Sequence, residues 1–386
     1  MSLWQKSYDL RSLGVAVAGF SAFVNLYSPQ ALLPELSREF HVGAGEISSL
    51  MTTSTVAVAM SAPFTGALAD VVGRKRLISA AIFAIAVPTL VMTFMASVPE
   101  LAFWRFVQGL LLPPIFTVTV AYIGDEWPPS DVARVAGLYV SGASIGGFSG
   151  RFIPGVLADL IGWRSAIQVV ALLTLAAAVI VTLTLAPERK FVRSGGLLSS
   201  LIQMIRHLGD RRLLATYAIG FGVMFNFIAT FTYVSFHLAA PPYLFSPTLL
   251  GMLFLTYLVS SPLMPWTGRA IAIFGRRPFV LGAIVVWIAG ALLLLAPPVT
   301  IILIGLTLCA VCGMACQTVS TGYVIMTAKE GRSSALGLYA SVFYIGGSAG
   351  AFLTGLAWNM AGWSGCVALI VTMQLIMAVI VAVSWD

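Results

Sequence analysis

Twelve apolar stretches, each about the length needed to cross a lipid bilayer, follow one another along this 386-residue chain. They fall at 13–34, 47–69, 78–96, 102–124, 132–157 and 165–186, then at 213–238, 248–268, 279–296, 301–327, 335–358 and 365–383. The runs are continuous rather than alternating, which predicts spanning helices and not barrel strands. Composition points the same way: 59% of residues are hydrophobic and only 9% are charged, against roughly a quarter in soluble domains. Such a chain cannot cover itself with a soluble surface, and it is too apolar to be disordered. Four cysteines are too few for a disulfide scaffold. The polar start, residues 1–11, leads into a run of full spanning length, so no cleavable signal is expected.

Where the charges sit fixes the expected topology. With the N-terminus in the cytoplasm, 17 of the 21 Lys and Arg residues fall on the cytoplasmic side, and only Arg38 and Arg164 fall outside. Arg105 and Arg151 fall within spans. This asymmetry predicts a multi-pass protein of the plasma (inner) membrane with both termini cytoplasmic. It also accounts for the net charge of +7 through anionic lipid headgroups, without nucleic acid.

The chain repeats itself. Gly137-Leu-Tyr-Val-Ser-Gly-Ala-Ser-Ile-Gly-Gly reads against Gly337-Leu-Tyr-Ala-Ser-Val-Phe-Tyr-Ile-Gly-Gly, and 12 of the 27 positions from Gly137 to Trp163 are identical at an offset of 200. Gly66 with Gly73-Arg74 is echoed by Gly268 with Gly275-Arg276. The expected fold is therefore an all-α membrane protein of twelve transmembrane helices in two pseudo-symmetric six-helix bundles. The halves are 1–190 and 213–386, joined by a basic linker over 191–212. Within the linker, 197–208 has the pattern of a short surface helix. Parallel repeats of this kind are a transporter architecture, with the substrate site near mid-membrane between the halves.

Two motifs carry a family resemblance. Gly66-Ala-Leu-Ala-Asp-Val-Val-Gly-Arg-Lys-Arg, after the second span, resembles the signature loop of the major facilitator superfamily. Arg105-Phe-Val-Gln-Gly109 resembles that family's R-x-x-Q-G element in span four. Spans, linker and repeat agree, so the resemblance covers essentially the whole chain. It is nearest the bacterial drug–proton antiporter and sugar-efflux branch. The glycines of that branch's span-five motif are present at Gly142, Gly146, Gly147 and Gly150, but Arg151 stands where its proline is expected. The resemblance implies alternating access, a cavity lined by spans one, four, seven and ten, and proton-coupled export of a drug or sugar-like compound. Arg151 prompts the alternative, uptake or facilitated transport of a small organic anion using Arg105 and Arg151.

Asp70 precedes Gly73-Arg74 at the end of span two. One reading is a topogenic basic loop with a solvated carboxylate. The other, implied by the resemblance, is a cytoplasmic gate. In it Gly66 and Gly73 permit close approach and a tight reversal. Asp70 pairs there with Arg74 and with Asp125 or Glu126 at the end of span four. Such pairs are individually weak, which suits a switch.

Two arginines inside spans are costly and call for an explanation. Arg105 is either a snorkelling side chain or a cavity cation, and Arg151 is deeper. No carboxylate falls mid-span, and Glu35 is the nearest candidate counter-ion. Glu35 and His237 are also the candidate proton carriers.

Polar residues at helical spacing mark further cavity candidates. They are Asn226, Thr230 and Tyr233, with His237, on span seven; Asn25 on span one; Gln108 beside Arg105; and Gln317 on span ten. Interhelical hydrogen bonding is the competing explanation. Tyr27, Phe225, Tyr257 and Tyr344 are aromatic candidates for the wall. Cys309, Cys312 and Cys316 share a face without His or acid, which favours packing over metal binding. No cofactor, metal or catalytic group is expected. The expected partners are a small-molecule substrate, protons and the lipid bilayer, and the chain is taken as a monomer.

Overall fold

The computed structural model describes residues 3–188, 204–260, 264–328 and 332–385. Most of the 191–212 linker, and of the helix expected over 197–208, lies outside these residues. Residues 204–207 are described and are helical. The fold is all-α, with no strand among the described residues.

Span one is Leu3–Tyr27, followed by a short excursion through Gln30–Leu32, Leu33–Glu39 and Ala44–Ile47. Span two is Ser49–Val72, three is Arg74–Val91, four is Val98–Glu126, five is Pro129–Ile161 and six is Trp163–Thr184. Span seven is Arg211–Ala239, nine is Arg276–Leu293 and ten is Val299–Thr327. Span eight is interrupted at Leu253 and Phe254, between Pro247–Met252 and Leu255–Ser260, and its described residues resume as Met264–Phe274. Arg332–Ser384 leaves helical geometry at Ala361 and Gly362, which divides it into span eleven, 332–360, and span twelve, 363–384. Nine helices among the described residues are long and apolar enough to cross a membrane by themselves. The last of these is the joined pair. Span five, diluted by polar residues, and the interrupted span eight complete the set.

Local chemistry starts and stops these helices. Ser97 and Glu100 form a capping box at span four, with the Glu100 carboxylate accepting from the N–H groups of Ala96 (3.1 Å) and Ser97 (3.2 Å). The Asp210 carboxylate accepts from the N–H of Arg212 at 2.8 Å and so caps span seven. Gly73 and Gly275 reverse the chain at φ +94° and +81°, a conformation other residues resist.

Spans one and five, and by the repeat seven and eleven, meet along glycine seams. A Cβ on Gly142 or Gly146 would fall on the carbonyl oxygen of Ala16 or Phe20, and one on Gly150 would lie 2.6 Å from that of Val24. Gly346 and Gly350 face Phe221 and Phe225 in the same way. Backbones this close gain dispersion energy where lipid offers no hydrophobic driving force. The gate expectation of close packing at Gly66 is not met, since a Cβ there would meet nothing within 4 Å.

The halves touch through span two against eleven and span five against eight, a pair of contacts related by the repeat. We call the side bearing the chain termini the terminal face and the other the distal face. Several contacts join the halves toward the distal face. Gln30 Nε2 donates to Thr232 Oγ1 (3.0 Å), Thr55 and Ser348 share a hydrogen bond (2.8 Å), and the Thr248 N–H donates to Asp159 (2.9 Å).

Candidate functional site

Between the halves, midway along the helices, lies a cavity of about 300 Å³. Span one contributes Phe23 and Tyr27, and span five contributes Tyr139, Gly147, Phe148 and Arg151. The facing wall carries Met224, Phe227 and Ile228 of span seven, Tyr257 of span eight, Met314 and Gln317 of span ten, and Phe343 and Tyr344 of span eleven. Spans five, eight and eleven thus line the cavity, and span four does not. Of the aromatic candidates, Tyr27, Tyr257 and Tyr344 face it. Phe225 is buried in the seam with Gly350. Met224, Phe227 and Ile228 gave no sequence signal, because apolar lining and lipid-facing side chains read alike.

Arg151 sits at the distal end of this cavity, 3% exposed, and is the charged residue among those lining it. Its Nε donates to Gln30 Oε1 and its Nη1 to the Gly147 carbonyl, both at 2.7 Å. The guanidinium carbon lies 3.6 Å from the ring centroid of Tyr27, 4.2 Å from that of Phe254 and 5.2 Å from that of Tyr257. Stacked aromatic faces attract a desolvated guanidinium through their quadrupoles. No carboxylate among the described residues pairs with it. At the equivalent place in the second half stands Ala351, whose carbonyl accepts from the Tyr233 hydroxyl (2.8 Å).

Arg105 and Gln108 are elsewhere. Both are fully buried inside the first half, against spans one, two and three. Arg105 donates Nε to the Leu50 carbonyl (3.2 Å), Nη1 to the Asn25 carbonyl (3.1 Å) and to Gln108 Oε1, and Nη2 to the Leu26 carbonyl (2.7 Å) and Ser54 Oγ (2.9 Å). Span one ends at Tyr27, so the Asn25 and Leu26 carbonyls belong to its unpaired last turn. A cation at that negative helix end is electrostatically favoured. This is what replaces a carboxylate counter-ion, and it rules out both snorkelling and a cavity position for Arg105. Asn25 belongs to the same cluster. Its Nδ2 donates to Thr174 (2.8 Å), and its Oδ1 accepts from Thr89 (2.8 Å) and Gln108 (3.3 Å).

The span-seven stripe shares one face, as its spacing requires, but that face packs on spans eleven and twelve. Asn226 donates to the Gly222 carbonyl (2.7 Å) and toward Met377, and among the described residues its Oδ1 is buried without a partner, as is Thr230 Oγ1. Tyr233 bonds to span eleven, and His237 stacks on Trp363 with ring centroids 5.1 Å apart. Asn226, Thr230 and Tyr233 therefore leave the cavity set, in which Arg151 and Gln317 remain. Glu35 lies on the distal excursion, within the field of Arg38, Asp159 and Glu39, with Oε2 buried and unpartnered among the described residues. It neutralises neither arginine.

On the terminal face, Arg74 pairs with Asp125 and also donates to the Ala121 carbonyl (3.0 Å). Glu126 pairs with Arg11 at 3.5 Å, and the Arg11 guanidinium lies 4.6 Å from the centroid of the Trp127 ring. The loop at Gly73 is held by Glu188, which accepts from the Lys75 N–H (2.7 Å). These contacts tie span one to span four, span three to span four, and the start of span three to the segment that follows span six. Each one described here lies within the first half.

The Major Facilitator Superfamily profile matches residues 15–257 and 226–385. This chain belongs to the major facilitator superfamily. Among superfamily relatives it is 33% identical to the inner membrane transport protein YnfM of Escherichia coli (strain K12) over 367 residues, covering 95% of this chain and 88% of that one. It is 30% identical to the MFS-type transporter YybF of Bacillus subtilis (strain 168) over 360 residues, covering 93% and 89%. In structure it resembles a bacterial homologue of the human lysosomal transporter Spinster in an inward-facing, occupied conformation. The TM-score is 0.78 at 15% identity, covering 100% of this chain and 97% of that one. As a superfamily member the protein is a multi-pass membrane transporter and not an enzyme.

Proposed function

We propose that this superfamily transporter carries a small organic monoanion by alternating access, with Arg151 as the group that recognises its carboxylate. One observation carries the reading: a buried guanidinium at the edge of an aromatic cavity, with no carboxylate paired to it among the described residues. In low dielectric such a charge attracts an anion strongly, and the planar guanidinium fits a carboxylate bidentately. The aromatic walls suit an apolar or planar body, and Gln317 offers an amide from the opposite half. The basic residues gathered near the terminal face support a cytoplasmic terminal side. The distal contacts then close the outside, and the cavity exchanges with the cytoplasm. Arg105 takes no part, because its donors are already used. Export of a cationic drug against protons, the other expectation, finds no carboxylate among the described residues lining the cavity to hold either charge.

The test is counterflow of radiolabelled benzoate into proteoliposomes. Wild type is expected to exchange benzoate, and Arg151→Gln to lose it by at least ~10-fold, with Arg151→Lys intermediate. Exchange unchanged in Arg151→Gln, or preferential transport of tetraphenylphosphonium, overturns the anion reading.

A further inference from the structure

The group that faces the cavity is also the group that fastens the two halves. Arg151 belongs to span five of the first half. Two of the rings on its guanidinium, Phe254 and Tyr257, belong to span eight of the second. Gln30 extends the connection, accepting from Arg151 Nε and donating to Thr232 of span seven. The backbones are tight at the same point: a Cβ on Gly251 would lie 2.9 Å from the Arg151 carbonyl oxygen and from Phe152 Cα. Span eight cannot swing away from span five at the distal face while Phe254 keeps its place on the guanidinium.

Resting on the reading of Arg151 as the anion-recognising group, we propose that Arg151 is the release element of the distal gate. A carboxylate in the cavity draws the guanidinium off Phe254, and the loss of that contact lets span eight part from span five.

The chemistry sets the order of events. Charge-assisted, bidentate hydrogen bonds to a carboxylate are stronger than the pull of a ring face. Tyr27 lies on the same half as Arg151, so its stacking survives the move, whereas Phe254 is on the half that must leave. Distal opening therefore follows binding, because the anion removes an attraction specific to the closed state. Thr55–Ser348 and Asp159–Thr248 also join the halves, but neither is a residue lining the cavity, so neither senses its contents.

The test uses the full-length protein in right-side-out spheroplasts with a reporter thiol from Ser348→Cys, a site buried between the halves and outside the cavity. A membrane-impermeant maleimide is added outside, and the labelling of the parent chain, whose described cysteines are all buried, is subtracted. The probe is benzoate, with benzyl alcohol as its neutral counterpart. Benzoate is expected to raise the labelling rate at least about threefold, and benzyl alcohol to leave it unchanged. Phe254→Leu in the same background is expected to raise labelling without benzoate, while Phe254→Tyr, which keeps a ring, is expected to label as slowly as the parent. Benzoate binding is measured separately by calorimetry on purified protein. Binding without faster labelling overturns the release mechanism and leaves the anion reading standing. An absence of binding overturns both. Slow labelling in a folded Phe254→Leu removes Phe254 from the gate.

Discussion

Asn25 and Asn226 occupy the same place in the two halves, yet only Asn25 has both polar side-chain atoms partnered. Each directly follows the residue whose carbonyl meets a seam glycine, Val24 at Gly150 and Phe225 at Gly350. Around Asn25, Thr174, Thr89 and Gln108 complete a network anchored by Arg105. Among the described residues the Oδ1 of Asn226 has no partner, and the fully buried Gln374, nearby in sequence to Met377, is likewise unpartnered at both polar atoms.

The two asparagines should therefore respond differently to the same change. Asn25→Leu takes one hydrogen bond from each of Thr89, Thr174 and Gln108, which keep their bonds to the Ile85 and Val170 carbonyls and to one another, and is expected to cost about 2–4 kcal/mol. Asn226→Leu removes the bond to the Gly222 carbonyl, the weak contact to the Met377 sulfur and one unmet acceptor together, so its effect is expected to stay within about 1 kcal/mol. Thermal unfolding of the detergent-solubilised variants distinguishes them.

Arg105→Lys should destabilise the protein although the charge is kept. An ammonium cannot reach the Leu50, Asn25 and Leu26 carbonyls together with Ser54 and Gln108. A loss of about 2–3 kcal/mol is expected, with a lower melting temperature. Arg151→Gln is expected to melt close to wild type while losing benzoate exchange. The reverse pattern would exchange the two arginines' roles.

Within span five, two glycines make an internal comparison. Gly146→Ala must push span one away at Phe20 and is expected to cost more than ~2 kcal/mol. Gly137→Ala meets nothing within 4 Å and is expected to be neutral or stabilising by up to ~1 kcal/mol. Equilibrium unfolding in mixed micelles provides the measurement.

The terminal-face pair should matter little to folding. Arg74 and Asp125 are 22% and 49% exposed, so Asp125→Asn is expected to cost less than about 1 kcal/mol, and the difference should shrink in high salt. Melting temperatures at two salt concentrations check this.

The spans were readable because length and apolarity suffice to specify a helix in lipid, where the backbone has no other way to satisfy itself. The interruption of span eight was not, since 248–268 reads as one apolar run. The stripe Asn226, Thr230, Tyr233 shows what periodicity can say: it groups residues on a face but does not name what that face meets. The place of Arg105 is illegible in the sequence for a related reason. Its partners are main-chain carbonyls, and a search for side-chain counter-ions passes over them. Arg151 stood out by its charge alone, whereas Phe254, the ring across from it, looked like any other apolar residue in a span.

The glycine seams have a mechanical consequence. A contact made of backbone against backbone holds no rotamers to repack, so spans one and five must tilt as a single stiff lever, and seven and eleven as another. Relative motion is left to the surfaces between the halves, two against eleven and five against eight, where close backbone contact is limited to Gly155 and Gly251 near the distal face. A carrier built this way has few ways to bend partially, and it should pass between its end states with little populated between them.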